Sequence, residues 1–192
     1  TATESASVAV VWAFLVTFSI YREISLKEIP KILLHSLRTL AMVMSLIAAA
    51  SAFAWLLAFL RIPQAVTNFL LGISSNKIVL LLLINVMLLI LGAIMDMAPL
   101  IIIVTPILFP VVTGVNIGMS PIQFGIMLIL NLSIGLCTPP VGSALFVGSA
   151  IGKISIEKAT KALLPFYFTM IGMLMLVTYW SPITMYLVNI LR

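Results

Sequence analysis

Eighteen consecutive residues, 78–95, carry no charge, and the run stops at a lone carboxylate, Asp96, with Pro99 three positions further on. A stretch of that length and apolarity belongs in lipid or in a large protein core. Composition decides between the two. Of 192 residues 63% are hydrophobic and 8% charged, so there is too little polar surface to coat a water-soluble globule of this size. The chain therefore reads as an all-α, multi-pass membrane protein, because helices satisfy their own backbone in lipid. A net charge of +5 does not point to nucleic acid, since the Lys and Arg residues sit in short loops, where they set membrane orientation. The single cysteine, Cys137, excludes an internal disulfide and a multi-cysteine metal site, and it reads as a small packing residue. The first residues, "TATESASVAV", run straight into apolar sequence and suggest a piece of a longer protein.

A first apolar segment covers 5–21. In 22–38, Ile24, Leu26, Ile29, Ile32, Leu33 and Leu37 recur at roughly helical spacing with Lys and Arg between them, which predicts an amphipathic helix lying along the membrane surface. His35 falls in this helix as an interfacial residue. Residues 39–60 carry no charge and can span, with small residues from Ala48 to Ala52 favouring close helix packing. A polar connector, 61–77, leads to 78–95. After the Asp96 break, 98–112 is apolar again, followed by an uncharged loop at 113–123. The next element, 121–151, is split by "TPPVG" at 138–142. A basic loop, 152–161, precedes a charge-free stretch that runs to Leu191.

Length separates the two interrupted elements. At about 1.5 Å per residue, 78–95 is roughly 27 Å and 98–112 roughly 22 Å, too long together for one crossing of a core about 30 Å thick. They suit a re-entrant hairpin, 78–112, with its tip at Asp96–Pro99. The arms of 121–151 add up to one crossing with an unwound middle. With that topology seven basic residues lie inside and three (Arg61, Lys77 and Arg192) outside, as the positive-inside rule asks.

Unwound backbone at membrane depth must face protein or a water-filled cavity, and paired broken segments are the best sequence pointer to a transporter site. Asp96 has two compatible readings: a cap opening the second hairpin arm, with Pro99 in its first turn, or a contact for a cation or substrate. At the second break Pro139 and Pro140 each lack an N–H, which leaves the carbonyls of Ile134, Gly135 and Leu136 as candidate hard ligands for Na⁺. Thr138 adds a hydroxyl, Gly142 permits close backbone approach, and Asn131 can donate and accept within the core, lining a substrate cavity or bonding a neighbouring helix.

The stretches "GAIMDMAPLIIIVTPILFPVV" and "GIMLILNLSIGLCTPPVGSALFVGSAIGK" resemble the large membrane subunit of tripartite ATP-independent periplasmic (TRAP) transporters, and so does "TATESASVAVVWAFLV". The resemblance covers the whole chain and matches the C-terminal half of that subunit. It implies one half of an inverted-repeat, elevator-type carrier in the bacterial inner membrane. Such a carrier imports an organic acid coupled to Na⁺, with a periplasmic binding protein delivering the substrate and a small membrane subunit bracing the large one. The moving part would be about 78–151, and the scaffold 1–60 and 162–192. By motif, the ion site maps onto Gly92, Met95, Asp96 and Ala98 facing Gly135, Thr138 and Pro139; the substrate cavity maps onto Asp96, Asn131, Thr138, Pro140 and Gly142. "LCTPPVGSALF" with "GKISIEK" is closer to the sugar-acid branch, such as sialic acid carriers, than to the four-carbon dicarboxylate branch. The alternatives are a dicarboxylate TRAP carrier, a binding-protein-independent Na⁺/dicarboxylate symporter, and a purely structural or channel-forming subunit. No nucleophile–base pair, His-rich metal spacing or phosphate loop points to an enzyme.

Overall fold

The computed structural model describes residues 1–21, 25 and 27–191, and the described residues contain helices and no strands. Nine α-helices follow in order among them: α1 (Ala2–Leu15), α2 (Ile29–Phe59), α3 (Ile62–Ile73), α4 (Lys77–Ile94), α5 (Met97–Thr113), α6 (Pro121–Leu136), α7 (Ser143–Gly152), α8 (Ile156–Tyr179) and α9 (Ser181–Leu191). A π-helical turn, Val16–Tyr21, extends α1. Four segments are long and apolar enough to cross a membrane: Thr3–Tyr21, Ile29–Phe59, Lys77–Ile94 and Ile156–Tyr179. The chain divides into two units, 1–46 and 47–192.

In the first unit the expected surface helix at 22–38 is not a separate element. Residues 22–24 and 26 of that stretch lie outside the described residues. From Ile29 the helix runs unbroken through the expected boundary at 38/39 to Phe59. Nothing at Leu37-Arg38-Thr39 stops it. Thr39 Oγ1 donates back to the His35 carbonyl at 3.2 Å, and helix propagation past a formed turn is favourable.

In the second unit the connector 61–77 is also helical. Pro63 occupies the first turn of α3, where its missing N–H costs nothing, and Leu70 buries the helix against α5. Asn76 then caps α4, its side chain accepting from the Ile78 amide at 2.9 Å. The basic loop shrinks to Lys153–Ser155, because Ser155 caps α8 through the Lys158 amide and places Lys158 and Lys161 on the helix. The final stretch splits at Trp180 into α8 and α9, with Pro182 in the first turn of α9, where its missing N–H costs nothing.

The core forms where α4, α5, α6 and α8 meet. Leu81, Ile84, Leu88, Leu108, Leu132 and Leu174 are fully buried there. Its polar content is a chain of side chains. The Asn131 amide donates to Asn85 Oδ1 at 2.7 Å, the Asn85 amide donates to Thr178 Oγ1 at 3.1 Å, and Thr178 donates to the Leu174 carbonyl. Gln123 Nε2 donates to the Val177 and Thr178 carbonyls, which lie in the last turn of α8 and have no intrahelical donor. These bonds and the packing of α8 on α6 and α7 join 162–179 to the helices of 78–151 in the second unit.

Candidate functional site

Each interruption leaves one helix C-terminus and one helix N-terminus. The α4 helix ends at Ile94, with Met95 and Asp96 extended, and α5 starts at Met97. Helix α6 ends at Leu136, and α7 starts at Ser143 after a turn containing the cis Pro139–Pro140 bond. The two C-termini touch at a pair of glycines. A Cβ placed on Gly135 would lie 2.5 Å from the Gly92 carbonyl carbon and 2.7 Å from its oxygen, so no side chain fits there. The two breaks are also joined directly. The Val141 amide donates to the Ala93 carbonyl at 3.0 Å, and Ser143 Oγ donates to Asp96 Oδ1 at 3.4 Å.

Between them lies a cavity of about 220 Å³ lined by Gly92, Met95, Asp96, Leu136, Val141, Gly142 and Ser143. Its walls carry both polarities. Among the described residues the Gly92 and Leu136 carbonyls, at the ends of α4 and α6, accept no hydrogen bond. The first amides of α5 and α7 likewise point out of their helices without intrahelical partners. Helix dipoles make the first pair of ends favourable for cations and the second for anions. Asp96 sits at the start of α5 and reaches the first residue of α7, so its charge lies between two helix N-termini. Its side chain makes no capping bond to its own helix.

The sequence-derived ion-site residues Gly92, Met95 and Asp96 and the cavity residue Gly142 lie on the wall, and Gly135 forms the contact beneath it. Gly142 is required as well, since a Cβ there would lie 2.7 Å from the Leu136 carbonyl oxygen. Thr138 is partly buried, but its hydroxyl donates back to the Ile134 carbonyl at 2.8 Å instead of facing the gap. Ala98, Pro139 and Pro140 are exposed and off the wall. Asn131 is fully enclosed, one turn before Gly135, and is off the wall of this cavity: it makes the bond to a neighbouring helix, through Asn85, that was one of its two expected roles. Sequence reasoning missed Ser143, Val141 and Tyr167, whose hydroxyl donates to the Cys137 carbonyl and secures the second break. Ser143 had a legible signal, as the first hydroxyl after a helix-breaking proline pair.

No group of three or more His, Cys, Asp or Glu side chains converges among the described residues. The donors at the junction are instead main-chain and hydroxyl oxygens with one carboxylate, a hard set.

Fold and junction together define a class: a helical membrane protein in which the ends of interrupted helices meet at a small cavity. Residues 1–183 match the family described as "Tripartite ATP-independent periplasmic transporter, DctM component". The chain belongs to that family. It is 37% identical over its whole length to the C4-dicarboxylate TRAP transporter large permease protein DctM of Rhodobacter capsulatus, covering 43% of that protein. It is 36% identical over 97% of its length to the sialic acid large permease protein SiaM of Vibrio cholerae, again covering 43%. A third relative, the 2,3-diketo-L-gulonate large permease protein YiaN of Escherichia coli, is 36% identical over 91% of the chain. The chain thus spans less than half the length of these curated relatives.

Proposed function

We propose that this chain is the C-terminal part of a large permease subunit that imports an organic acid across the bacterial inner membrane together with Na⁺. A periplasmic binding protein would deliver the substrate, and a small membrane subunit would brace the permease. The observation that carries the reading is the junction itself: two C-termini and two N-termini meet at one cavity, offering carbonyls to a cation beside amides for a carboxylate. A Na⁺ ion would be held by the Gly92 and Leu136 carbonyls with Asp96 and Ser143 nearby. Oxygen donors of this kind, at helix ends, suit an alkali cation. The moving body in an elevator step would be 77–179 rather than 78–151, because α8 is tied to α4 through Asn85 and Thr178.

Sialic acid or a related sugar acid is the substrate to test first, on the strength of the "LCTPPVGSALF" motif. A four-carbon dicarboxylate is the second reading, supported by the 37% identity to the Rhodobacter protein. The test is uptake by the full-length subunit in proteoliposomes with its partner proteins, with and without a Na⁺ gradient. Asp96→Asn and Ser143→Ala are each expected to raise the Na⁺ concentration for half-maximal uptake about tenfold, the loss of one charge-assisted ligand. Uptake that ignores the Na⁺ gradient, or keeps its Na⁺ dependence in both variants, overturns the reading.

A further inference from the structure

A groove of about 730 Å³ lies along the start of α2 in the first unit, far in sequence from the junction. Residues 39–59 of α2 carry no charge and span about 31 Å, close to the hydrocarbon thickness of a bilayer. Because the helix is continuous from Ile29, residues 29–38 extend it by about 15 Å, through the headgroup layer. On that extension Lys31, His35 and Arg38 recur at i, i+4 and i+7, within an arc of about 60°. All three are exposed, and they line the groove. Lys27 lies in the turn just before the helix. Glu28, at the end of the groove, is turned to its own chain, its carboxylate accepting from the Ser25 amide at 3.0 Å. Below Arg38 the same arc carries Met42, 65% exposed, and Leu46, 45% exposed, lies about 20° beside it.

We propose that this face of α2 binds the headgroup of an anionic phospholipid. The phosphodiester sits between Lys31, His35 and Arg38, and an acyl chain descends along Met42 and Leu46. Charge complementarity and depth both select this occupant. Two cationic side chains, Lys31 and Arg38, and the imidazole of His35 between them stack at the level of the phosphate layer, and basic segments beside a membrane span attract anionic lipid. An acidic protein segment would pair the charges but offer nothing to Met42 and Leu46 at hydrocarbon depth; a lipid supplies the anion and the apolar chain together. The inference is independent of the transport reading.

The experiment uses the full-length protein in nanodiscs containing trace spin-labelled phosphatidylglycerol or phosphatidylcholine, read by electron spin resonance. The anionic probe is expected to be immobilised at least about fivefold more than the zwitterionic one, with the difference shrinking as salt rises. The K31Q/H35Q/R38Q variant should lower the ratio to near one, and K31R/R38K should keep it. Equal immobilisation of the two probes by the unaltered protein, or a preference insensitive to salt, overturns the proposal without any variant. So does a ratio unchanged in the triple variant, or a Leu34→Cys probe that cross-links to protein and is not reached by the labelled lipid.

Discussion

The seam at Asn85 and Asn131 and the junction at Gly92 and Gly135 lie one to two turns apart on the same two helices, α4 and α6. Both place polar groups among apolar side chains, in opposite ways. In the seam the donors and acceptors face each other across helices, and Asn131 Oδ1 is the only buried side-chain atom without a partner among the described residues. At the junction the polar groups are main-chain ends directed at a cavity, and glycine removes the side chains that would fill it. A buried polar group paired inside the protein holds helices in register. One left open to a cavity is available to a ligand.

The sharpest test of the contrast separates the two glycines. Gly135→Ala drives a Cβ into the Gly92 backbone, which cannot rotate away, whereas Gly92→Ala meets nothing closer than 3.4 Å. The first should cost about 1–3 kcal/mol of stability and cut uptake about tenfold or more, because the site's edges are pushed apart. Gly92→Ala should stay near the unaltered protein in both. Equal effects in thermal unfolding and uptake would mean that the contact is not as close as the geometry requires.

A smaller effect is expected in the seam, and it is unequal. Asn85→Leu strips partners from both Asn131 and Thr178, while Asn131→Leu removes the orphaned oxygen and leaves only Asn85 Oδ1 unpaired. Asn85→Leu should therefore cost about 1–2 kcal/mol and Asn131→Leu clearly less, with Na⁺ dependence per folded molecule unchanged in both. Detergent unfolding curves decide the order. A shifted Na⁺ dependence in either variant would move the seam from register to ligand binding.

The smallest expected change is Tyr167→Phe, which deletes one hydrogen bond to the Cys137 carbonyl for about 0.5–1.5 kcal/mol. Because this bond braces the second break from outside, uptake should fall modestly while the first break is untouched. Protection of the 137–142 amides by hydrogen exchange would report it, and unchanged protection would remove Tyr167 from the account.

The positions of the breaks were legible in the sequence because Asp96, Pro99, Pro139 and Pro140 violate an otherwise apolar pattern. The seam was not. Asn85 sits alone in a long apolar run, and its meaning depends on facing Asn131 and Thr178, 46 and 93 residues away. Helix boundaries at charged stretches were misplaced for another reason. Lys158, Lys161 and Arg38 are good helix formers, so charge marks where the chain leaves lipid without marking where the helix ends. The Thr138 hydroxyl donates to its own preceding turn, a local bond that sequence spacing alone does not reveal.

The Val141–Ala93 bond joins one break to the other through main-chain atoms alone. Alanine scanning is therefore blind to it: truncating Val141 leaves the donor, and any residue at 93 still presents the acceptor. Sequence drift can rewrite the side chains at 93 and 141 and leave the clasp closed, provided the glycines beside it stay. A proline at 141, or an ester in place of that amide, removes the donor itself and would open it.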